Sequence, residues 1–380
     1  MARLSQQAIL ERYEQLAAQR ADYTWRNYQP IPLPGYESTA SQAGRNCFDR
    51  GEAVAKALDG RFASRPLRII DWGCNLGFFV FQLAKLGHEV VGVDSNASYV
   101  DICRFLAETN EFPVKPRFYV DQLTPSSLSN YSGFDVALCF SVLHHLGKEQ
   151  LLTLRRFAEV YPVALIEMDG RDFGRHHLFP FYFYLEPTVE TNDPYGKGTR
   201  RRKTWFCSNV TSEGLYVNLK QRNLLAGRSV LKKESAQGTT VIKREELTSR
   251  HTWIRTDLRQ EQANYARWSG EKYFASLKDF GETDQHRWIE IDYVEHDGQA
   301  NAESIQEFFS FLERERLFLL DLCADSFLFS RGKLTVVDLE SLFPVETTIA
   351  DLVKTRTRKT EIPFDSYEKQ RNHILQRLVG

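Results

Sequence analysis

The sequence has almost no net charge: 49 Lys and Arg stand against 50 Asp and Glu, giving −1 at pH 7. A chain so balanced exerts no global pull on nucleic acid or on an anionic membrane, and no nucleic-acid partner is expected. Its six cysteines are scattered. They form no CxxC pair and no Cys/His cluster at zinc spacing, which argues against a metal-finger or disulfide framework and fits a reducing compartment. No apolar run approaches the ~20 residues that a membrane span requires. Met1 to Arg20 is polar and amphipathic, so no secretory leader is expected. Internal repeats and low-complexity tracts are missing too. These absences leave a cytoplasmic protein as the expectation, with peripheral association at the inner face of the membrane still open.

Length and aromatic content are present in quantity. A chain of 380 residues with 13% Phe, Trp and Tyr has room for one to three domains with a sizeable core and does not have the composition of a disordered segment. The most informative stretch is 67–94, LRIIDWGCNLGFFVFQLAKLGHEVVGVD. Leu67, Ile69 and Ile70 make a short apolar run that ends at Asp71, and Gly73 and Gly77 bracket a tight turn. Phe78 to Leu86 is apolar at helical spacing, with Gly87 as a C-terminal stop. Val90, Val91 and Val93 make a second buried-type strand closed by Asp94. Two parallel strands joined by a crossover helix form a βαβ unit, and ligands bind at the carboxyl ends of such strands.

Upstream, Ser5 to Arg20 reads as an amphipathic helix. Tyr28 to Tyr36 carries Pro30, Pro32 and Pro34, so it is extended, and such a segment can cover a ligand cleft. Ser41 to Leu58 reads as a helix with Arg45 and Arg50 near its start, either solvated or reaching a ligand carboxylate. Downstream, Ala97 to Asn110 is a helix, Arg117 to Val120 a third strand ending at Asp121, and Phe134 to Phe140 a fourth leading into Ser141, His144 and His145. Lys148 to Val160 is a helix and Pro162 to Met168 a fifth strand. This alternation marks a doubly wound α/β domain. Gly170 to Gly198 is aromatic, irregular and long for a connector, hence a candidate substrate lid. Arg200 to Lys203 reads as a solvated loop, and Thr204 to Ser208 and Leu215 to Leu219 as the last two strands of the domain.

Three successive strands end on acids: Asp71, Asp94 and Asp121. A carboxylate at the second tip accepts both hydroxyls of a ribose, and one at the third can accept from an adenine amine. The turn reads GxxxG, not the GxGxxG of a dinucleotide fingerprint, and an acid at the first tip repels phosphate. It suits a ligand carrying an ammonium and a sulfonium instead. The DxGCxxG turn, the VVGVD strand and FDVALCFSVLHHL together resemble class I methyltransferases that use S-adenosylmethionine, over roughly 45–170. That resemblance implies a Rossmann-like α/β domain. It also implies that Asp71, Gly73, Cys74 and Gly77 face the methionine half of the cofactor, Asp94 and Ser95 the ribose, and Asp121 and Gln122 the adenine. Ser141, His144 and His145 then fall near the substrate, and Arg45 beside the cofactor cleft. His144 or His145 serves as the base for a hydroxyl acceptor, or only packs and orients. An anionic acceptor such as a phosphate needs no base but a basic clamp, for which Arg171, Arg175, His176 and His177 are suited, as is the run Arg200 to Lys203 if it is more than a solvated loop.

Residues 216–380 change character. Gly227 to Glu245 reads as a hairpin around Gln237-Gly238, Gln260 to Trp268 as a helix, Arg287 to Glu295 as a strand and Ser304 to Leu320 as an apolar-faced helix. Asp321, Ser326, a hairpin through Gly332, and Asp338 resemble the catalytic segment of kinase folds, with Lys243 and Glu261 spaced for the strand-lysine–helix-glutamate pair. By that resemblance Asp321 is the loop base and Asp338 the magnesium ligand, with ATP and Mg as the ligands. The departures are Leu319 for the usual His, Ser326 for the usual Asn, Asp338-Leu339-Glu340 for DFG, no Gly-rich loop before Lys243 and a short tail. A reduced, smaller α+β kinase-like domain over 216–380, after a methyltransferase domain over 1–215, is therefore expected. Both halves in this order resemble the bifunctional methyltransferase–kinases that terminate O-antigen polysaccharide chains in bacteria, a match carried by AGRNCFDR, VALIEM and WFCSN besides the motifs above. The resemblance implies methylation of a hydroxyl or phosphate on a cell-envelope glycan. Two other readings stay open: a bifunctional enzyme that phosphorylates and then methylates the glycan end, and a methyltransferase whose second half docks on a glycan-assembly complex.

Overall fold

The computed structural model describes residues 5–18, 29–33, 35–37, 47–63, 65–169, 175–192, 201–219, 228–247, 258–319, 323–345 and 366–379. It divides into two compact units, Met1–Leu215 and Tyr216–Gly380. Each has a hydrophobic core of its own.

In the first unit, helices α1 (Gln6–Ala18) and α2 (Cys47–Phe62) precede strand β1 (Arg68–Trp72), helix α3 (Phe78–Lys85) and strand β2 (Glu89–Asp94). Phe78, Phe79, Val80, Phe81, Leu83 and Ala84 are all buried, so α3 is apolar nearly all round and lies inside the unit. Gly77 starts it at φ +79°. The helix ends as the sequence predicts: the Gly87 N–H donates to Ala84 O and the His88 N–H to Leu83 O, a Schellman closure around a left-handed glycine. Helix α4 (Ala97–Thr109) is opened by Asn96, whose side chain accepts from the N–H groups of Ser98 and Tyr99.

The rest of the unit is β3 (Arg117–Val120), β4 (Val136–Phe140), α5 (Gln150–Val160), β5 (Val163–Asp169), the short α6 (Arg175–Leu178), β6 (Tyr184–Asn192) and β7 (Arg201–Ser208). The sheet order is β3-β2-β1-β4-β5-β7-β6. Strands β1 to β5 are parallel, whereas β7 runs antiparallel to β5 and β6 antiparallel to β7. Strand β4 is buried at every position, as a parallel strand covered on both faces must be. The winding reverses between β1 and β4, so the crevice at their carboxyl ends is where this architecture takes a ligand.

Three expectations are corrected. The irregular lid expected over 170–198 contains the edge strand β6, which pairs with β7 from Tyr184–Ser208 to Asn192–Arg201 across a bulge beside Pro187. The solvated loop expected at 200–203 is strand from Arg201 onward, because its partner β5 extends to Asp169. Leu215–Leu219 does not complete this sheet: strand β9 (Gly214–Asn218), entered through the two-residue β8 (Val210–Thr211), joins a different one.

In the second unit, β10 (Arg228–Ser235) and β11 (Gly238–Glu246) form the expected hairpin, followed by helix α7 (Leu258–Trp268) and the strands β12 (Leu277–Glu282) and β13 (His286–Asp292). With β9 and β8 these strands form a six-stranded sheet in the order β12-β13-β11-β10-β9-β8. Helix α8 (Ala302–Arg314) buries Ile305, Phe308, Phe309, Phe311 and Leu312. The sequence predicts this helix to continue to Leu320. It stops because Arg316 adopts φ +55°, and Leu317–Leu319 pairs instead with Leu342–Pro344. The hairpin through Gly332 is present as Phe327–Ser330 and Lys333–Val336.

Candidate functional site

At the carboxyl end of the first unit's parallel strands lies a cavity of about 580 Å³, within the size range of small-molecule and cofactor sites. Asp71, Asp94 and Asp121 all line it, so the three strand-tip acids converge on one space. Gly73, Ser95, Gln122, Ser141, His144 and His145 line it as well.

Asp94 is fixed by the turn it closes. Its Oδ2 accepts from the N–H of Asn75 at 2.8 Å and its Oδ1 from the N–H of Asn96 at 2.9 Å. Asn75 reaches that position with φ +52°. Burial pushes the Asp94 carboxyl above its usual range, while the Asn96 and Asn75 donors pull it down. A carboxylate offers about four lone-pair sites, so both oxygens retain accepting capacity toward the cavity.

Asp71 is the opposite case. It is 2% exposed, and its Oδ2 has no hydrogen-bond partner among the described residues. Burial pushes its carboxyl up to about 7; Asp94 adds to the rise and Arg50 opposes it. Leaving a buried acceptor unmatched costs about 1–3 kcal/mol. The third acid, Asp121, donates its N–H to Asp94 O at 3.1 Å and accepts at Oδ1 from the N–H of Gln122 at 2.7 Å. Tyr131 stands near it, with a hydroxyl pushed up to about 12 by burial first and by the Asp121 carboxylate next.

The opposite wall is cationic. Glu167, 3% exposed at the end of β5, accepts from Ser141 Oγ and is paired with Arg50 Nη2 at 2.5 Å and Arg202 Nη1 at 3.6 Å. The Arg50 guanidinium lies over the Phe79 and Phe140 rings at 5.0 and 5.4 Å. Beyond Ser141 the turn Leu143–His145 carries both imidazoles, whose ring centroids are 4.0 Å apart.

Residues 70–161 match a family model described as a methyltransferase domain. The first unit contains a class I methyltransferase domain. The chain is 32% identical over 158 residues to the O-antigen chain terminator bifunctional methyltransferase/kinase WbdD of Escherichia coli, covering 39% of this chain and 21% of that protein. It is 26% identical over 99 residues to the ubiquinone biosynthesis O-methyltransferase of Pelagibacter ubique, 25% of this chain and 40% of that one. The matched stretch thus spans about a fifth of the length of the WbdD relatives. A crystal structure of WbdD aligns over 90% of this chain and 84% of that chain, at 20% identity and a TM-score of 0.49.

Several residues of the methyltransferase domain depart from the sequence expectations. Cys74 is 1% exposed and packs beside Cys103, and Gly77 starts α3 against Phe81, Cys103 and Phe118. Neither lines the cavity; both shape the turn from behind. Arg45 and Asp321 lie outside the described residues. Of the four basic residues suggested as a clamp, Arg171 and the side chain of His176 are also outside them, and Arg175 lies over Phe179 at 5.5 Å. The cationic wall comes from Arg50 and from Arg202 of the basic run 200–203. Sequence reasoning also passed over Gln29, which lines the cavity and accepts from the Phe78 N–H at 3.3 Å, and Tyr99, which lines it from α4. The proline-rich extended segment was the signal for Gln29; nothing local marked Tyr99.

The second unit brings Lys243, Glu261 and Asp338 together. The Lys243 ammonium donates to Glu261 Oε1 and to Val337 O, and stands 3.4 Å from Asp338 Oδ1. Burial alone lowers an ammonium, yet Asp338 and Glu261 hold Lys243 above its usual range. Glu261 is 1% exposed; burial pushes it up to about 7 against the pull of Lys243. Ligand oxygens of Glu261, Asp338 and Glu340 lie within 4.8 Å of one another, a spacing that can hold a divalent cation. Arg228 neutralises one edge of the cluster, pairing with Glu340 at 2.8 Å and with Glu245 at 3.3 Å.

Proposed function

We propose that the first unit transfers a methyl group from S-adenosylmethionine to an oxygen of a cell-envelope glycan, a hydroxyl or a phosphate. The observation that carries this reading is the pair of acids at adjacent strand tips. Asp71 offers a buried, unmatched oxygen suited to the ammonium of the cofactor. Asp94 offers two oriented oxygens suited to the ribose hydroxyls. Asp121 and Gln122 complete the set on the adenine side. Bound there, the cofactor supplies an activated methyl group on a sulfonium sulfur.

The chain's own work is then alignment, the main contribution to an in-line displacement. Gly73 and Asn75 bring backbone close to the donor, and the Ser141–His145 turn faces the acceptor side. For a hydroxyl acceptor, His144 or His145 takes the proton as the oxygen is methylated. For a phosphate no base is needed, and the guanidiniums of Arg50 and Arg202 give that wall the matching sign. The glycan class rests on the printed name of the WbdD relatives, O-antigen chain terminator.

The second unit reads as a reduced kinase-like module. Lys243 and Glu261 pair beside Asp338, which supports the resemblance, while Ser326 and Glu340 stand where a working kinase carries Asn and Gly. The alternative, a bifunctional enzyme that first phosphorylates the glycan end, is favoured only by the Glu261–Asp338–Glu340 spacing. Thermal stabilisation by ATP with magnesium, lost in Asp338→Ala, supports that alternative. No shift favours a docking role at a glycan-assembly complex on the inner face of the membrane.

The donor site is tested by calorimetry with S-adenosylhomocysteine. Asp94→Asn is expected to weaken binding about 10–100-fold, the worth of charge-assisted hydrogen bonds; unchanged affinity removes Asp94 from the ribose role. Incubating the protein with methyl-labelled cofactor and cell-envelope extracts, then identifying the labelled product, names the acceptor.

A further inference from the structure

Ser141 ends β4 where the chain must turn into the cavity. Its φ is +62°, in the left-handed region that a residue with a Cβ seldom enters. Immediately after it, Val142 packs against Gly73. The turn Leu143–His145 then sets both imidazoles on the cavity, with the His145 N–H donating to Val142 O at 2.9 Å. The backbone of Ser141 therefore decides where His144 and His145 stand.

Glu167 holds that backbone. The register of β4 and β5 pairs Phe140 with Glu167, and Ser141 Oγ donates to Glu167 Oε1. Glu167 is itself ion-paired from two sides, with Arg50 of α2 at 2.5 Å from Oε2 and Arg202 of β7 at 3.6 Å from Oε1. Arg50 in turn is wedged over Phe79 and Phe140. A carboxylate fixed by two buried guanidiniums cannot change rotamer without stranding a charge. Its bond to Ser141 is correspondingly rigid.

We propose that Glu167 is a positioning residue: clamped by Arg50 and Arg202, it locks Ser141 in the left-handed conformation and so aims the His144–His145 turn at the acceptor side of the cavity. The inference rests on the methyl-transfer reading of this cavity and adds to it. Three elements distant in sequence, α2, β5 and β7, thereby set the acceptor-side geometry.

The test is histidine-ring NMR on the full chain, with His144 and His145 signals assigned from single His→Gln variants, alongside calorimetry with S-adenosylhomocysteine. Ser141→Ala and Glu167→Gln are each expected to displace both ring signals, with S-adenosylhomocysteine affinity kept within about threefold. Ser141→Gly, whose glycine adopts positive φ freely, is expected to leave the signals nearer their original positions. Because the path runs through the Ser141 hydroxyl, Glu167→Gln is expected to add nothing in the Ser141→Ala background. Signals unmoved by Ser141→Ala overturn the proposal, as does a Glu167→Gln displacement that is undiminished in that background. Where Glu167→Gln does not fold, the Ser141 pair decides, and equal displacement by Ala and Gly overturns it. Failure of the unsubstituted protein to bind S-adenosylhomocysteine overturns the methyl-transfer reading instead, and leaves the NMR comparison interpretable.

Discussion

A Cβ placed on Gly73 would stand 2.2 Å from Cγ2 of Val142. The turn after β1 and the turn after β4 therefore interlock through the absence of one carbon atom. Gly73 also sits at φ +74°, so Gly73→Ala combines a steric clash with a left-handed backbone. It is expected to cost about 2–4 kcal/mol in stability and to weaken S-adenosylhomocysteine binding. The urea midpoint and calorimetry measure the two effects; an unshifted midpoint contradicts the interlock.

Asp71 makes stability depend on pH. Its carboxyl lies at about 7 in the folded chain and near 3.9 once unfolded. The folded state therefore binds the proton more tightly, and stability present below about pH 4 is lost as pH rises through about 7, by roughly 4 kcal/mol at most. Asp71→Asn removes that loss. Its unfolding free energy is expected to exceed that of the unsubstituted protein by a margin that widens from pH 4 to 7 and then levels off, while donor-side binding falls. A margin that is flat with pH, from denaturant titrations across that range, rules out the buried acid as the cause.

The two imidazoles separate the acceptor chemistries. If the acceptor is a hydroxyl, replacing the base, His144→Ala or His145→Ala, is expected to slow transfer of the labelled methyl group about 10²–10⁴-fold. S-adenosylhomocysteine affinity should be nearly unchanged. Transfer at full rate in both variants selects an anionic acceptor.

Lys243→Met tests the second unit. It strands Glu261, which is 1% exposed and stands beside Asp338. Breaking such a buried pair typically costs about 3–5 kcal/mol. A lowered thermal midpoint is expected, and the double variant with Glu261→Leu is expected to recover part of it. If Lys243→Met alone leaves the midpoint in place, the pair contributes nothing to this unit's stability.

The donor side was legible in the sequence because it is local. The glycine turn, the two flanking strands and Asp94 fall within one βαβ unit, and period and punctuation locate them. The acceptor side was not. Glu167 reads as one residue of an apolar strand, and its partners Arg50 and Arg202 sit on elements far away in the chain. For the basic run 200–203 a solvated loop outweighs a clamp in the sequence, because charge runs usually are solvated, yet β7 turns the Arg202 side chain inward. Strand β6 was hidden by Pro187, which an edge strand tolerates beside a bulge and an interior strand does not. Leu317–Leu319 extended a helical apolar pattern that a left-handed Arg316 interrupts, a backbone event that no periodicity announces.

Strand β7 runs against β5, and its register pairs Arg202 with Asp169 and Arg201 with Asn192. Asn192 and Arg201, where the chain leaves β6 and enters β7, therefore lie at the same end of the sheet as the three strand-tip acids, but on a separate piece of chain. Insertions or deletions there leave Asp71, Asp94 and Asp121 in register. Length at that rim of the sheet and the placement of the three acids are thereby structurally independent of one another.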